Sequence, residues 1–326
     1  MALLRVGEGR LHVIERDVAP PGPAEVLLRV QACGVCRTDL HVVDGDLPVL
    51  RLPCIPGHEV VGRVLATGPG ATRFAPGTRV GVPWLHDTCG ACRWCGSGRE
   101  NLCESARFTG WTADGGYAEV MTAHEDFCFA LPDRYSDEQA APLLCAGLIG
   151  WRALDMAGEA RTLGLYGFGA AGHLVAQVAL QQGRRVYAFT RPGDDAAQAL
   201  ARTLGVHWVG GSDETPPTPT DGALIFAPVG ALVPAALAHS EPGSTIVCAG
   251  IHMSDLPSMP YSLLWKERSV RSVANLTRRD GEEFFAWAAE HAIASTTESF
   301  PLADANEALA RLRSGRLTGA AVLDCR

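Results

Sequence analysis

Four cysteines fall within fifteen residues, as Cys89-x2-Cys92-x2-Cys95-x7-Cys103. Short loops of this kind deliver four thiolates to one tetrahedral zinc, and a zinc with four protein ligands keeps no open position for a substrate. The same spacing could instead hold two incidental disulfides or four unrelated thiols. A closed zinc is a structural staple, so reactive chemistry has to be sought elsewhere in the chain. Three scattered residues offer a second donor set. Cys36 lies in Gly34-Val35-Cys36-Arg37-Thr38-Asp39-Leu40-His41, and His58 is followed by Glu59 in Gly57-His58-Glu59-Val60-Val61-Gly62. Cys145 follows Pro142-Leu143-Leu144. Two thiolates and an imidazole, with water or substrate in fourth place, make one of the catalytic zinc types.

A third motif, Gly167-Phe168-Gly169-Ala170-Ala171-Gly172, is a GxGxxG between an expected strand, Thr162–Tyr166, and an expected helix from Gly172. That context is the one a dinucleotide needs. Gly167 permits the tight turn, Gly169 lets backbone approach a pyrophosphate, and Gly172 lets helix and strand pack closely. The helix N-terminus offers free N–H groups to the anion. An acidic residue at the end of the second strand would bind the ribose hydroxyls of NAD, but the chain reads Phe189-Thr190-Arg191-Pro192-Gly193 there. A hydroxyl followed by a guanidinium suits a 2′-phosphate, so NADP(H) is expected in preference to NAD. The alternative is a solvent-facing arginine beside an NAD site that lacks its acid.

Composition bounds the remaining possibilities. A chain of 326 residues is long for one hydrophobic core, which argues for two domains. A net charge of −8 disfavours nucleic-acid and anionic-membrane surfaces. Lys266 is the only lysine, so there is no GxxxxGK[ST] phosphate loop and no other candidate for a Schiff base. The start, Met1-Ala2-Leu3-Leu4-Arg5, shows no secretory pattern. The uncharged stretch from Gly222 to Ser240 contains Pro228 and Pro234 and reads as strand, loop and helix rather than a membrane span. Eleven cysteines without an export signal fit a reducing cytoplasm. Cys33, Cys54, Cys128, Cys248 and Cys325 match no ligand pattern and read as small buried side chains.

The elements that must position these residues fall into two kinds. Up to about residue 130, short β-type runs such as Val26–Val30, Val60–Ala66 and Arg79–Val82 alternate with Gly/Pro turns, as in an irregular antiparallel barrel or sandwich. Ser136 should cap a helix running to Leu144. Strands at Thr162–Tyr166, Arg185–Phe189, His207–Val209, Ala223–Phe226 and Thr245–Cys248 then alternate with helices near 172–182, 194–204 and 232–238. That alternation implies a parallel, doubly wound sheet. Residues 214–220 form a polar linker too short for a helix. The stretch from Asp280 to Arg313 reads as helical, followed by a closing strand at Ala320–Leu323.

Together the Gly57–Ala71 segment with His58, Glu59, Gly62 and Gly68, the four-cysteine lobe and the GxGxxG after Cys145 resemble the zinc-dependent alcohol dehydrogenases of the medium-chain dehydrogenase/reductase superfamily. The resemblance covers nearly the whole chain. It implies an α/β protein with a mostly-β, GroES-like catalytic domain (1–148 and 277–326, with a structural-zinc lobe at about 86–104) and a Rossmann domain inserted at 149–276. It implies two zinc ions per chain and reversible hydride transfer between a primary alcohol and NAD(P), with aromatic and secondary alcohols also admitted. Thr38 would take the alcohol's proton and His41 would carry it onward by way of the cofactor ribose. Asp39 would fix the His58 tautomer, and Glu59 would approach the metal when ligands exchange, its other role being a buried acid paired with an arginine. Arg37 would meet the cofactor pyrophosphate, and Trp84, Trp111 and Leu47 would line the substrate channel, although an aromatic is more often plain core.

Two departures from the family pattern stand out. The stretch 210–221 is short, and Gly319 stands where some relatives carry a phosphate-binding arginine. Three rival functions are a polyol or other specialised dehydrogenase, a zinc-free quinone reductase, and a non-catalytic zinc- and nucleotide-binding redox sensor or scaffold. The complete Cys36, His58, Cys145 set and the Thr38–His41 pair weigh against the last two. The run Val270–Asn275 could be an edge strand pairing across a two-fold axis, which favours a homodimer or homotetramer.

Overall fold

Alternation of apolar and polar side chains makes Glu25–Val35 a strand, β1, in which Val26, Leu28 and Val30 are buried and Arg29 is exposed. The computed structural model in which it lies describes residues 1–48, 51–251, 253–317 and 319–326. It divides into two units, residues 1–145 with 275–326, and residues 146–274. In the first unit Cys36 follows β1 directly and caps α1 (Arg37–Asp44), which Gly45 closes at φ 84. The strands β2 (Glu59–Thr67), β3 (Arg79–Val82), β4 (Leu85–Asp87), β5 (Arg107–Phe108), β6 (Val120–His124) and β7 (Phe129–Ala130) follow.

Ser136 caps the next helix as expected, with Gln139 completing a capping box, but α2 spans only Asp137–Ala140. The chain then tightens into a 3-10 turn, Ala141–Leu144, so the expected helix to Leu144 is not continuous. Pro142 is the cause: it has no N–H for an i→i−4 bond and crowds the preceding turn. Cys145 therefore leaves a tight turn, its N–H bonded to the Pro142 carbonyl at 3.4 Å.

The second unit runs α3 (Ala146–Met156), β8 (Thr162–Tyr166), α4 (Ala170–Gln181), β9 (Arg185–Thr190), α5 (Asp195–Thr203), β10 (Trp208–Gly211), β11 (Thr220–Ile225), α6 (Leu232–Ala238), β12 (Ser240–Cys248), α7 (Tyr261–Leu264) and β13 (Ser269–Ser272). Its six strands lie in the order β10-β9-β8-β11-β12-β13. All neighbours are parallel, which gives the doubly wound sheet. Central strands buried on both faces need continuous apolar runs, and Leu163, Leu165, Tyr166, Ala223, Leu224 and Ile225 provide them. Each such Leu or Ile stabilises the unit by roughly 1.5–3 kcal/mol relative to an exposed side chain. No helix separates β10 from β11, in keeping with the short polar linker.

The chain returns to the first unit with α8 (Arg278–Glu290), β14 (Thr297–Pro301), α9 (Ala305–Ser314) and β15 (Ala320–Asp324). The expectation of helix from Asp280 to Arg313 is thus corrected: a strand interrupts it. The backbone turns extended at His291, and the β-branched pair Thr296-Thr297 leads into a strand that pairs in parallel with β15 and buries Phe300. β15 pairs with β1 in turn, giving the order β14-β15-β1-β2-β3-β7 with β6 also on β1. Gly319, just before β15, sits at φ 83, and a Cβ there would meet the Thr296 carbonyl at 2.0 Å. Sterics at that position exclude any larger side chain. No helix among the described residues is long and apolar enough to cross a membrane.

Candidate metal centres and nucleotide loop

α1 and the loop before β2 meet at one carboxylate. Asp39 occupies the third helical position after Cys36, and the Cys36 N–H donates to its Oδ2 at 2.8 Å, capping the helix start. Gly57, which only a glycine's freedom allows at φ 97, turns the chain so that its own N–H and the His58 ring both reach Asp39 Oδ1 at 3.1 Å. The Tyr117 hydroxyl donates to Oδ2 at 3.2 Å. Asp39 is fully buried, and four donors offset the desolvation such a carboxylate suffers.

Because Nδ1 donates to Asp39, the imidazole directs the lone pair of Nε2 away from it. That nitrogen is buried and has no hydrogen-bond partner. Beside it, Cys36 Sγ and Cys145 Sγ lie 3.8 Å apart, and the ligand atoms of Cys36, His58, Glu59 and Cys145 all fall within 4.8 Å of one another. Two Zn–S bonds of about 2.3 Å at a tetrahedral angle put their sulfurs about 3.8 Å apart. An orphaned imidazole nitrogen and two thiols at this separation fit a zinc ion. A hydrogen bond from Cys145 and the His58 ring beside it hold the Cys36 thiol well below its ordinary value, while the adjacent Cys36 sulfur and burial hold Cys145 well above. Burial, followed by the Cys36 charge, raises Glu59.

Thr38 and His41 lie one turn apart on α1 and so share a face. Thr38 is buried, with Oγ1 3.8 Å from Cys36 Sγ. His41 is 22% exposed and its Nδ1 lies 2.8 Å from Asp46 Oδ2. The pair thus spans from the buried thiol to the surface. Arg37 is exposed on the same helix.

Trp84 meets the His58 ring edge-on at 4.9 Å between centroids. Behind it Trp111 is stacked at 5.9 Å and 6°, and Phe108 lies against both at 5.3 and 5.6 Å. Trp111 donates to the Pro48 carbonyl at 2.9 Å. Leu47 packs on the core of this unit, its N–H bonded to the His41 carbonyl. Sequence reasoning missed Phe108 and Tyr117. Phe108 could have been found from its i, i+3 spacing to Trp111; Tyr117 has no local signal, since its partner Asp39 is 78 residues away.

The four-cysteine lobe converges too, with its ligand atoms within 4.8 Å of one another. Cys89 to Cys103 is 3.5 Å and Cys92 to Cys95 is 3.6 Å, and all four are free thiols. Backbone N–H groups of Ala91 and Cys92 hold the Cys89 thiol down to about 6, which favours the ligating thiolate. Buried Glu100 anchors the lobe by accepting the Arg278 N–H at 2.8 Å.

In the second unit the three glycines of the loop stand in three different settings. Gly167 turns at φ 94, and a Cβ on Gly172 would meet the Gly167 carbonyl at 2.4 Å. A Cβ on Gly169 would meet nothing within 4 Å, so open space lies above the backbone at the start of α4. Gly169 caps that helix without any side-chain acceptor, leaving the first N–H groups free for an anion. The loop therefore fits a pyrophosphate. Thr190 and Arg191 diverge. Thr190 is buried, its hydroxyl donating to the Gly210 carbonyl at 3.3 Å and accepting from Gln198 at 3.1 Å. Arg191 is 84% exposed, its guanidinium 3.9 Å from Asp194.

Residues 22–133 match the family described as alcohol dehydrogenase GroES-like domain. A Mycobacterium tuberculosis protein named "Probable alcohol dehydrogenase AdhA" is 49% identical over 324 residues, covering 97% of this chain and 93% of its own. An alcohol dehydrogenase of Geobacillus stearothermophilus is 36% identical, with 96% of each chain covered. Among solved structures, a cinnamyl alcohol dehydrogenase of Sorghum bicolor superposes with a TM-score of 0.90 at 27% identity, covering 99% of this chain and 96% of that one. A cobalt- and zinc-bound thermostable alcohol dehydrogenase of Pyrobaculum aerophilum gives 0.89 at 28% identity, covering 99% and 98%.

Proposed function

The chain belongs to the alcohol dehydrogenase family with a GroES-like domain, and on that premise we propose that it is a zinc-dependent, NADP(H)-preferring dehydrogenase of primary and aromatic alcohols, working reversibly as an aldehyde reductase. The observation that carries this is the convergence of buried, unpartnered His58 Nε2 with Cys36 and Cys145. Zinc held by those three residues supplies Lewis acidity that lowers the pKa of an alcohol hydroxyl, and a nicotinamide supplies the hydride acceptor. Asp39 keeps the imidazole in the tautomer that presents Nε2. Thr38, buried beside Cys36, is the nearest hydroxyl on α1 to accept a proton from the substrate, and His41, partly exposed beside Asp46, delivers it to water. Glu59 stands by as an alternative oxygen donor within the same cluster.

The stacked wall of Trp84, Phe108 and Trp111 beside His58 favours flat, aromatic substrates. Arg191 is the exposed guanidinium suited to a 2′-phosphate, with Thr190 holding the loop from inside, and Arg37 is available to the cofactor's phosphates. Cys89, Cys92, Cys95 and Cys103 hold a second, structural zinc. β13 is an edge strand with Tyr261 and Trp265 exposed close by in sequence, which supports a homodimer or homotetramer.

Metal analysis combined with an alcohol panel in NAD+ and in NADP+ tests the proposal. Two zinc ions per chain are expected, together with turnover of benzyl-type alcohols and higher kcat/KM with NADP+. Cys36→Ser should abolish turnover and leave one zinc. Retained turnover in that variant rejects the catalytic assignment, and a clear preference for NAD+ rejects the cofactor assignment.

A further inference from the structure

We propose that Tyr117 is a positioning residue for the open metal site: its hydroxyl, acting through Asp39, holds Cys36 and His58 in the arrangement that binds metal. The inference rests on the metal reading above. A carboxylate has about four lone-pair sites, and each oxygen of Asp39 takes two donors. Oδ1 takes the Gly57 N–H and the His58 ring, while Oδ2 takes the Cys36 N–H and the Tyr117 hydroxyl. Three of the four donors belong to the ligand residues or to the neighbour of one. Tyr117 alone reaches in from a distant part of the chain, and it therefore sets where the carboxylate sits.

The rest of Tyr117 is fastened to the same segment. Its N–H bonds the Pro56 carbonyl at 3.0 Å, Gly116 bonds the Gly57 carbonyl at 2.9 Å, and Gly115 bonds the Ile55 carbonyl at 2.8 Å. The fully buried ring lies flush on Gly57, where an added Cβ would come within 2.4 Å of Cδ1. Backbone and ring thus hold the turn that delivers His58, and the hydroxyl holds the acceptor that orients it. Removing the hydroxyl alone leaves a buried carboxylate one donor short, with Oδ2 held by the Cys36 N–H alone and so less firmly fixed against the His58 ring. Second-layer partners of this kind typically change metal affinity by about 10- to 100-fold.

Tyr117→Phe, Asp39→Asn and Cys36→Ser versions of the zinc-loaded chain, challenged with a chromogenic chelator, test this without reference to turnover. Zinc release from the wild type is expected in two phases, one of which Cys36→Ser removes. Tyr117→Phe should accelerate that phase by about tenfold or more and leave the lobe phase unchanged. Cobalt substituted at the open site should show shifted ligand-field bands in the variant. Combining Tyr117→Phe with Asp39→Asn should release metal no faster than Asp39→Asn alone, because the hydroxyl acts only through the carboxylate. A wild-type release rate with unchanged cobalt bands overturns the inference, as does additive acceleration in the double variant. A wild type with no phase sensitive to Cys36→Ser overturns the metal reading itself.

Discussion

The sulfurs of Cys36 and Cys145 lie 3.8 Å apart although 109 residues separate them in the chain. That separation is far beyond a disulfide bond of about 2.05 Å and matches two thiolates on a shared tetrahedral ion. Neither residue could be recognised as a ligand from its immediate neighbours. β1 delivers Cys36 at its end, and the proline-tightened turn Ala141–Leu144 delivers Cys145.

Removing the open-site metal should expose this asymmetric thiol pair. Cys36 is held well below its ordinary value, chiefly by the hydrogen bond from Cys145, while Cys145 is held well above its own, so Cys36 is the more readily deprotonated of the two. Chelated enzyme is expected to be alkylated by iodoacetamide first at Cys36, with Cys145 slower, and readded zinc should protect both. Peptide mass mapping reads the order of modification; equal labelling of both cysteines in the zinc-loaded and the chelated enzyme would count against the shared site.

The nucleotide loop makes two separable predictions about the cofactor. Arg191→Ser should raise KM for NADP+ by about tenfold or more, the loss of roughly 1.4 kcal/mol from a charge-assisted contact, and leave KM for NAD+ nearly unchanged. Gly169→Val, which fills the open space above the helix start, should weaken both cofactors alike. Nucleotide fluorescence titration distinguishes the two patterns. Equal losses for both cofactors in Arg191→Ser would remove the basis for an NADP preference.

Acid sensitivity should come in part from His86 in β4. The residue is 3% exposed, its Nδ1 is buried without a hydrogen-bond partner, and burial, only partly opposed by Asp87, lowers its pKa to about 4. The folded chain keeps this ring neutral, whereas the unfolded chain protonates it near 6.5. Between those values the unfolded state binds the extra proton. Its contribution to stability is therefore complete above pH 6.5 and is lost as pH falls toward about 4. At pH 4.5 the loss amounts to roughly 2–3 kcal/mol. Urea unfolding at pH 7 and pH 4.5 should show a smaller drop for His86→Leu than for the wild type; parallel drops would place the acid sensitivity elsewhere.

Local signals carried the elements and motifs that depend on spacing over a few residues. The doubly wound alternation, the capping of α2 by Ser136 and the helix-free linker after β10 are all written in periodicity and turn chemistry. The same local logic misread 280–313, because the helical pattern on either side of Thr297–Pro301 hides a strand that forms only by pairing with β15. It also grouped Thr190 with Arg191, although Thr190 is the buried last residue of β9 and Arg191 lies exposed just beyond the strand.

By itself the sequence determined the closed four-cysteine lobe, the glycine loop at the head of α4 and the list of residues able to ligate a second metal. The first two follow from spacing short enough for loop geometry to leave little choice, and the third from residue type alone. Only the tertiary structure decided that Cys36, His58 and Cys145 meet, that Asp39 carries four donors and that Tyr117 is one of them. Those contacts join segments up to 109 residues apart. Closing such distances takes the pairing of β1 with β2, β6 and β15, whose register no single segment encodes.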